Sequence, residues 1–178
     1  MTTYIALLRG INVGATKRMK MPRLREVLTE AGFEDVATYV QSGNVVLRGA
    51  GGVEAVRQGI GQAIREEWGF DVPVVMRTRA QLQAVLERSP FALGATDPKA
   101  YSVTFFETAP PASLVEDIDD ELRGDELVEL HGRELYTWTP GGLGSSRLMP
   151  LLGRRAAKLD GTNRNWRTIT ALVELAAD

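Results

Sequence analysis

Cysteine is absent from this 178-residue chain, and histidine occurs once, at His131. Without cysteine there can be no disulfide, thiolate zinc site, iron–sulfur cluster or cysteine nucleophile. A histidine-rich metal centre is excluded, and a Ser-His-Asp triad would have to use His131. Long apolar runs are missing too. No stretch of about 18 apolar residues occurs, so no membrane-spanning helix is expected. The N-terminal Met1-Thr2-Thr3-Tyr4 has no positive segment followed by a long apolar one, so it does not read as a signal peptide. A cytoplasmic protein without a membrane partner is the expectation. Neither sign of charge dominates: 21 Lys+Arg stand against 23 Asp+Glu, for a net charge of −2. A global basic footprint for nucleic acid is therefore lacking, although a local patch is compatible with the count.

What is present is an ordinary globular composition. Hydrophobic residues make up 44% and charged residues 25%, which excludes disordered and fibrous classes. A chain of this length buries roughly 70% of the surface its unfolded form exposes and needs no metal or disulfide staple.

The apolar run Tyr4–Arg9 reads as a strand ending at Gly10. A loop rich in Gly, Asn, Lys and Arg follows, from Ile11 to Met21. Pro22 then opens a helix carrying Leu24, Val27, Leu28 and Ala31, with Gly32 as its stop. Val36–Gln41 and Asn44–Arg48 read as a hairpin around a two-residue Ser42-Gly43 turn. Val53, Val56, Ile60, Ile64 and Trp68 mark a helix despite Gly59 and Gly61, each of which weakens it by about 1 kcal/mol relative to Ala. Val72–Arg77 is the next strand. The resulting β-α-β-β-α-β order is the ferredoxin-like split βαβ plan.

The remainder reads α-β-α-β-β-α. A helix from Thr78 or Arg79 ends before Pro90, and a loop runs from Phe91 to Pro98. A strand spans Ala100–Glu107, and a short acidic helix spans Ser113–Leu122. Glu126–His131 and Arg133–Thr139 form a hairpin around Gly132. Ser145 or Ser146 caps a helix to about Lys158, and a last helix runs from about Asn163 to Ala176 with Thr162 as its cap. The fold class expected is α+β, with a ferredoxin-like N-terminal subdomain over 1–78 and an α+β subdomain over 79–178 packed as one compact unit. The echo between the halves suggests duplication of plan, without a residue-level repeat.

Three segments carry polar groups suited to a ligand. The Arg9–Lys20 loop, with Asn12 and Gly14, lies between a strand and a helix, where backbone N–H groups can face an anion. Arg9, Lys17, Arg18 and Lys20 add charge. Neither G-x-x-x-x-G-K-[ST] nor G-x-G-x-x-G is present. Ser42-Gly43-Asn44 places a hydroxyl and an amide at a turn, although turn chemistry alone favours those residues. Arg164 and Asn165 fall in the first turn of the last helix, where Arg164 would present a planar fork to a carboxylate or phosphate. The acidic run Glu116–Glu129 lacks a calcium-loop pattern and reads as a solvated face. No metal site and no cofactor are expected. Tyr101, Phe105 and Phe106 sit on a strand, but no RNP1-like run accompanies them.

The segments ALLRGINVG (6–14), Lys20-Met21, TYVQSGNVV (38–46) and T-x-RNW (162, 164–166) resemble the bacterial family known as domain of unknown function 1697 (DUF1697). The resemblance extends from Tyr4 to about Val173. Family members usually carry a second glycine after Gly14, where this chain has Ala15, which weakens the case for an anion-holding turn at that point. The resemblance implies an α+β fold of βαββ elements and signature positions at Arg9, Asn12, Gly14, Gln41, Ser42, Asn44, Arg164, Asn165 and Trp166. It implies no reaction.

Polar signature residues on loops favour a site. The leading expectation is a small phosphate- or carboxylate-bearing ligand held by Arg9, Asn12, Gly14, Ser42, Asn44, Arg164 and Asn165. No conventional base or nucleophile presents itself, so neither an enzyme nor a reaction is assigned. One alternative is a nucleic-acid module using Lys17, Arg18, Lys20, Arg23 and Arg25. Another is a structural role, in which the polar motifs lock loops together and function lies at a protein interface.

Overall fold

The computed structural model describes residues 1–91 and 96–177. It is an α+β protein with two four-stranded antiparallel sheets among the described residues. The chain falls into two compact units, Met1–Gln83 with Ala171–Asp178, and Ala84–Thr170.

The first unit runs β1 (Thr2–Leu8), α1 (Met21–Glu30), β2 (Glu34–Tyr39), β3 (Asn44–Gly49), α2 (Val53–Trp68) and β4 (Val74–Thr78). Its strands lie in the order β2-β3-β1-β4. Alternation along β1 sends Tyr4, Ala6 and Leu8 to one face. There they join Val45, Leu47, Val74 and Met76, and meet Leu24 and Leu28 of α1 and Val56, Ile60 and Ile64 of α2. Leu24, Leu28, Ile60 and Ile64 are each fully buried, and each such side chain contributes roughly 1.5–3 kcal/mol. The periodic helical faces are therefore what closes this unit.

Two glycine expectations resolve here. Gly32, at φ +92, terminates α1: its N–H bonds Thr29 O while that of Phe33 bonds Leu28 O, a Schellman arrangement. Gly59 sits mid-helix because Phe33 lies against it, with a ring carbon 3.1 Å from where a Cβ would stand.

The second unit contains β5 (Tyr101–Phe105), α4 (Asp120–Arg123), β6 (Leu127–His131), β7 (Glu134–Trp138), α5 (Leu148–Ala157) and β8 (Thr162–Asn165). The helices α3 (Arg79–Glu87) and α6 (Trp166–Leu175) cross the boundaries between the units. The strand order is β6-β7-β5-β8. Phe106, Leu114, Leu135, Leu148, Leu152 and Ala156 form an apolar cluster under α5. The expected loop after α3 falls partly on residues 92–95, outside the described residues.

Three local expectations are corrected. The Ser113–Leu122 helix is instead a 3-10 turn at Ala112–Leu114 and the short α4. Arg155 explains why: its guanidinium donates to the carbonyls of Ser113, Leu114 and Glu116, acceptors a continuous helix would use internally. The last helix starts at Trp166, not Asn163, because residues 162–165 pair with β5. The Asn163 amide reinforces that pairing by donating to the hydroxyls of Ser102 and Thr104. Finally, the β2–β3 connection holds four residues, Val40 to Gly43, between the paired Tyr39 and Asn44.

Among the described residues no helix is long and apolar enough to cross a membrane.

Candidate functional site

The β1–α1 loop is folded onto the β2–β3 turn by Asn12. This residue adopts φ +54, a left-handed conformation that asparagine tolerates. Its Nδ2 donates to Met19 O at 2.9 Å and to Gln41 O at 2.8 Å, while Oδ1 accepts the Met19 N–H at 2.8 Å. Its backbone N–H reaches Lys17 O. Both amide hydrogens of Asn12 are thus committed inside the protein, so the side chain clamps the loop rather than reaching outward. Gly14, at φ +62, turns the loop tip in open space.

The turn is built to match. Asn44 is fully buried, and its Nδ2 donates to Tyr39 O and Ser42 Oγ. Gly43 carries φ +77 and lies against β1: a Cβ there would stand 2.7 Å from Leu8 Cβ and 2.8 Å from Ile11 Cδ1. Its carbonyl accepts the Leu8 N–H at 2.8 Å. Val40 has φ +52, a left-handed conformation rare for a β-branched residue. The two asparagines hold the carbonyls on either side of it, those of Tyr39 and Gln41.

Beside this clamp opens a cleft of about 430 Å³, lined by Asn12, Arg18, Met19, Lys20, Arg23, Gln41 and Trp68. Every lining residue belongs to the first unit. Arg23 is tied down by a two-pronged bond to Glu67 and by Glu26 and Glu30. Those carboxylates hold its guanidinium well above its ordinary pKa and, reciprocally, Arg23 lowers that of Glu67. Arg18 and Lys20 are exposed and have no ion-pair partner among the described residues. The Gln41 side-chain amide and the Trp68 indole N–H likewise make no hydrogen bond among those residues. Since no buried side-chain nitrogen or oxygen among them lacks a partner, the indole N–H reaches solvent. The cleft therefore presents two uncompensated cations, an amide and an indole.

A larger cleft, about 650 Å³, lies along α2 and the chain leading into β4. Both of its cations are paired, Arg57 with Glu54 and Arg65 with Asp71, and the Gln62 amide donates to Glu66. It offers a ligand little that its own side chains do not already satisfy.

The remaining candidate positions divide as follows. Arg9 is half-buried, and its backbone N–H bonds Pro73 O. Ser42 is exposed and accepts from Asn44. Arg164 and Asn165 lie in the second unit. Arg164 is a strand residue opposite Val103, not part of a helical first turn. Its buried guanidinium donates to Thr162 Oγ1 and Asn163 O. Burial pulls its pKa down to about 10, which leaves it charged at neutral pH. Asn165, not Thr162, caps α6 by accepting the Thr168 N–H. Trp166 stacks face to face on Tyr101, with centroids 4.4 Å apart.

Sequence reasoning counted Arg18 and Lys20 among the loop cations but placed Trp68 on a core face. The only hint in the sequence that it also lines the cleft is its position as the last residue of α2, beside Gly69 at φ +75. Among the described residues no cluster of His, Asp and Glu suits a metal ion.

A solved structure of conserved bacterial protein SP0830 from Streptococcus pneumoniae is similar across 99% of this chain and 98% of that chain, with a TM-score of 0.81 and 21% identity. At that identity the likeness speaks to fold alone. No curated protein matches. A family model described as Protein of unknown function (DUF1697) matches residues 1–136. That span takes in the clamp, the turn and the whole cleft, while the T-x-RNW segment lies beyond it. On this match the chain belongs to the DUF1697 family.

Proposed function

We propose that the first unit binds a small anionic ligand in the cleft between the β1–α1 loop, the β2–β3 turn and the end of α2. The observation that carries this reading is the pair Arg18 and Lys20, two exposed cations without partners on the wall of a formed cleft. Arg18 and Lys20 have only Met19 between them in the chain, and an anion bound between their side chains would relieve their mutual repulsion. Gln41 adds a neutral donor on the facing turn. Asn12 and Asn44 hold the loop and the turn in place through bonds inside the protein, and Gly14, Ser42 and Asn44 are not among the lining residues. Phosphate and carboxylate both fit the donor set.

The nucleic-acid alternative has fewer cations than its sequence suggested. Lys17 Nζ donates to Asp71 O, Arg23 is held by Glu67, and Arg25 bonds Thr38 Oγ1. Of these only Arg23 has its charge matched by a carboxylate; Lys17, Arg18, Lys20 and Arg25 would remain to neutralise phosphates, for a log–log salt slope on duplex DNA of about −3.6.

The test is thermal unfolding against sugar phosphates, nucleotides, pyrophosphate and di- and tricarboxylates. A ligand at 100 times its dissociation constant adds about 2.7 kcal/mol, or roughly 5–10 °C for a chain of this length. Arg18→Ala and Lys20→Ala should each abolish most of that shift while leaving the ligand-free melting temperature within about 1 °C, as expected for exposed side chains. A flat panel, or a shift that survives both substitutions, overturns the proposal.

A further inference from the structure

Trp68 gives the cleft a chemistry that its cations alone do not explain. A site for a bare phosphate or a small dicarboxylate has no use for an aromatic wall. Here the indole sits at the C-terminal end of α2, half-buried against the core, and lines the same cleft as Arg18 and Lys20. Its N–H is open to solvent. The lining thus combines an aromatic side chain with exposed cations.

The volume narrows the ligand further. Small-molecule sites span about 300–1,000 Å³, and the cleft, at about 430 Å³, sits in the lower part of that range. That suits one ring, one sugar and a phosphate group better than a dinucleotide. Two free cations likewise match one or two phosphate groups rather than a polyphosphate or a phosphodiester chain.

Resting on the anion-binding reading above, we infer that the ligand is a phosphorylated nucleoside, with its base on the Trp68 indole and its phosphate between Arg18 and Lys20. Gln41 lies on the turn, where its amide supplies a donor and an acceptor to the sugar or to the base edge. An aromatic platform accepts every base because every base has a π-face. Discrimination among bases would therefore rest on Gln41 and on the Trp68 N–H.

The experiment compares the ribonucleoside 5′-monophosphates and diphosphates with ribose 5-phosphate and pyrophosphate by isothermal titration on the full chain. Wild type, Trp68→Leu, Trp68→Phe and the Arg18→Ala/Lys20→Ala double variant are measured, each after its fold is checked by thermal melting. At least one nucleotide is expected to bind wild type 10- to 100-fold more tightly than ribose 5-phosphate, the range a base–aromatic stack supplies. Trp68→Leu should erase that gap, Trp68→Phe should keep most of it, and the double variant should lose nucleotide and sugar phosphate alike. Equal affinity for nucleotide and ribose 5-phosphate in wild type refutes the nucleoside assignment while leaving anion binding intact. Absence of binding by any of these compounds refutes both. A ten-residue single-stranded RNA binding more than tenfold tighter than every mononucleotide refutes the small-molecule assignment in favour of a nucleic-acid strand. If Trp68→Leu does not fold, the wild-type comparison and Trp68→Phe still decide.

Discussion

Replacing Asn12 by alanine should cost the protein about 3–4 kcal/mol. The side chain makes three hydrogen bonds, to both backbone groups of Met19 and to the carbonyl of Gln41. A typical intramolecular hydrogen bond contributes about 0.5–1.5 kcal/mol net. Asn12 is only half-buried, so water partly replaces what is lost, and about 2–3 kcal/mol remains for the set. A further part, about 1 kcal/mol, is conformational. The residue sits at φ +54, where alanine is strained and asparagine is not. At about 2–4 °C per kcal/mol for a chain of this size, the melting temperature should fall by roughly 6–16 °C. Asn12→Gly separates the two contributions: it loses the same bonds but accepts the left-handed backbone, so it should melt above Asn12→Ala. Asn12→Asp tests the direction of the bonds, because its carboxylate would face two carbonyl oxygens. That carboxyl would titrate above its ordinary value in the folded state. The folded form would then bind the extra proton, so the variant should gain stability as the pH falls from neutral toward about 4 and lose it again as the pH rises. Scanning calorimetry of the three variants decides the matter. An Asn12→Ala melting temperature within 2 °C of the parent would sink the clamp, and equal melting of the alanine and glycine variants would remove the backbone contribution.

Gly43→Ala should also be damaging, by about 2–4 kcal/mol. Its Cβ would lie inside normal contact distance of Leu8 and Ile11 as well as at φ +77; urea denaturation that matches the parent would contradict the close approach. Arg155→Ala should lower stability by about 1–2 kcal/mol, because three carbonyls between Ser113 and Glu116 lose their donor. Faster amide exchange at residues 112–118 is the local signature, and unchanged exchange there would remove the capping role.

The elements held by their own periodicity were legible. The apolar stripe from Val56 to Ile64 predicted α2, and Tyr4 to Leu8 predicted β1, because each needs only a partner face of matching pattern. The Schellman stop at Gly32 was readable because it is local chemistry. What escaped were elements decided by distant residues. Strand β8 carries Thr162 and Asn163, which read as a helix start, but Ser102 and Thr104 supply partners that no local rule contains. The acidic segment reads as a helix until Arg155, some 40 positions away, takes its carbonyls. At the candidate site the loop cations were visible, and their availability was not. Lys17, Arg23 and Arg25 look equivalent to Arg18 and Lys20 until Asp71, Glu67 and Thr38 are seen to hold them. Trp68 satisfied the core pattern so well that only its place at the end of α2, beside Gly69, set it apart.

The first unit is not continuous along the chain: residues 84–170 interrupt it, and its last portion follows them. Arg79 Nε donates to Val173 O across 94 positions, and Leu175, Ala176 and Ala177 line a cleft with Thr3, Asp35 and Arg48. During synthesis, therefore, the second unit has all of its residues before the first one does. The strands β1 to β4 must wait, with one flank unfinished, until the chain beyond Thr170 has emerged. Closing so long an interval is entropically slow but not prohibitive, since the cost of closure grows only with the logarithm of loop length. The unit bearing the basic cleft begins first and is completed last, so a chain cut short after Thr170 would carry that cleft on an unfinished body.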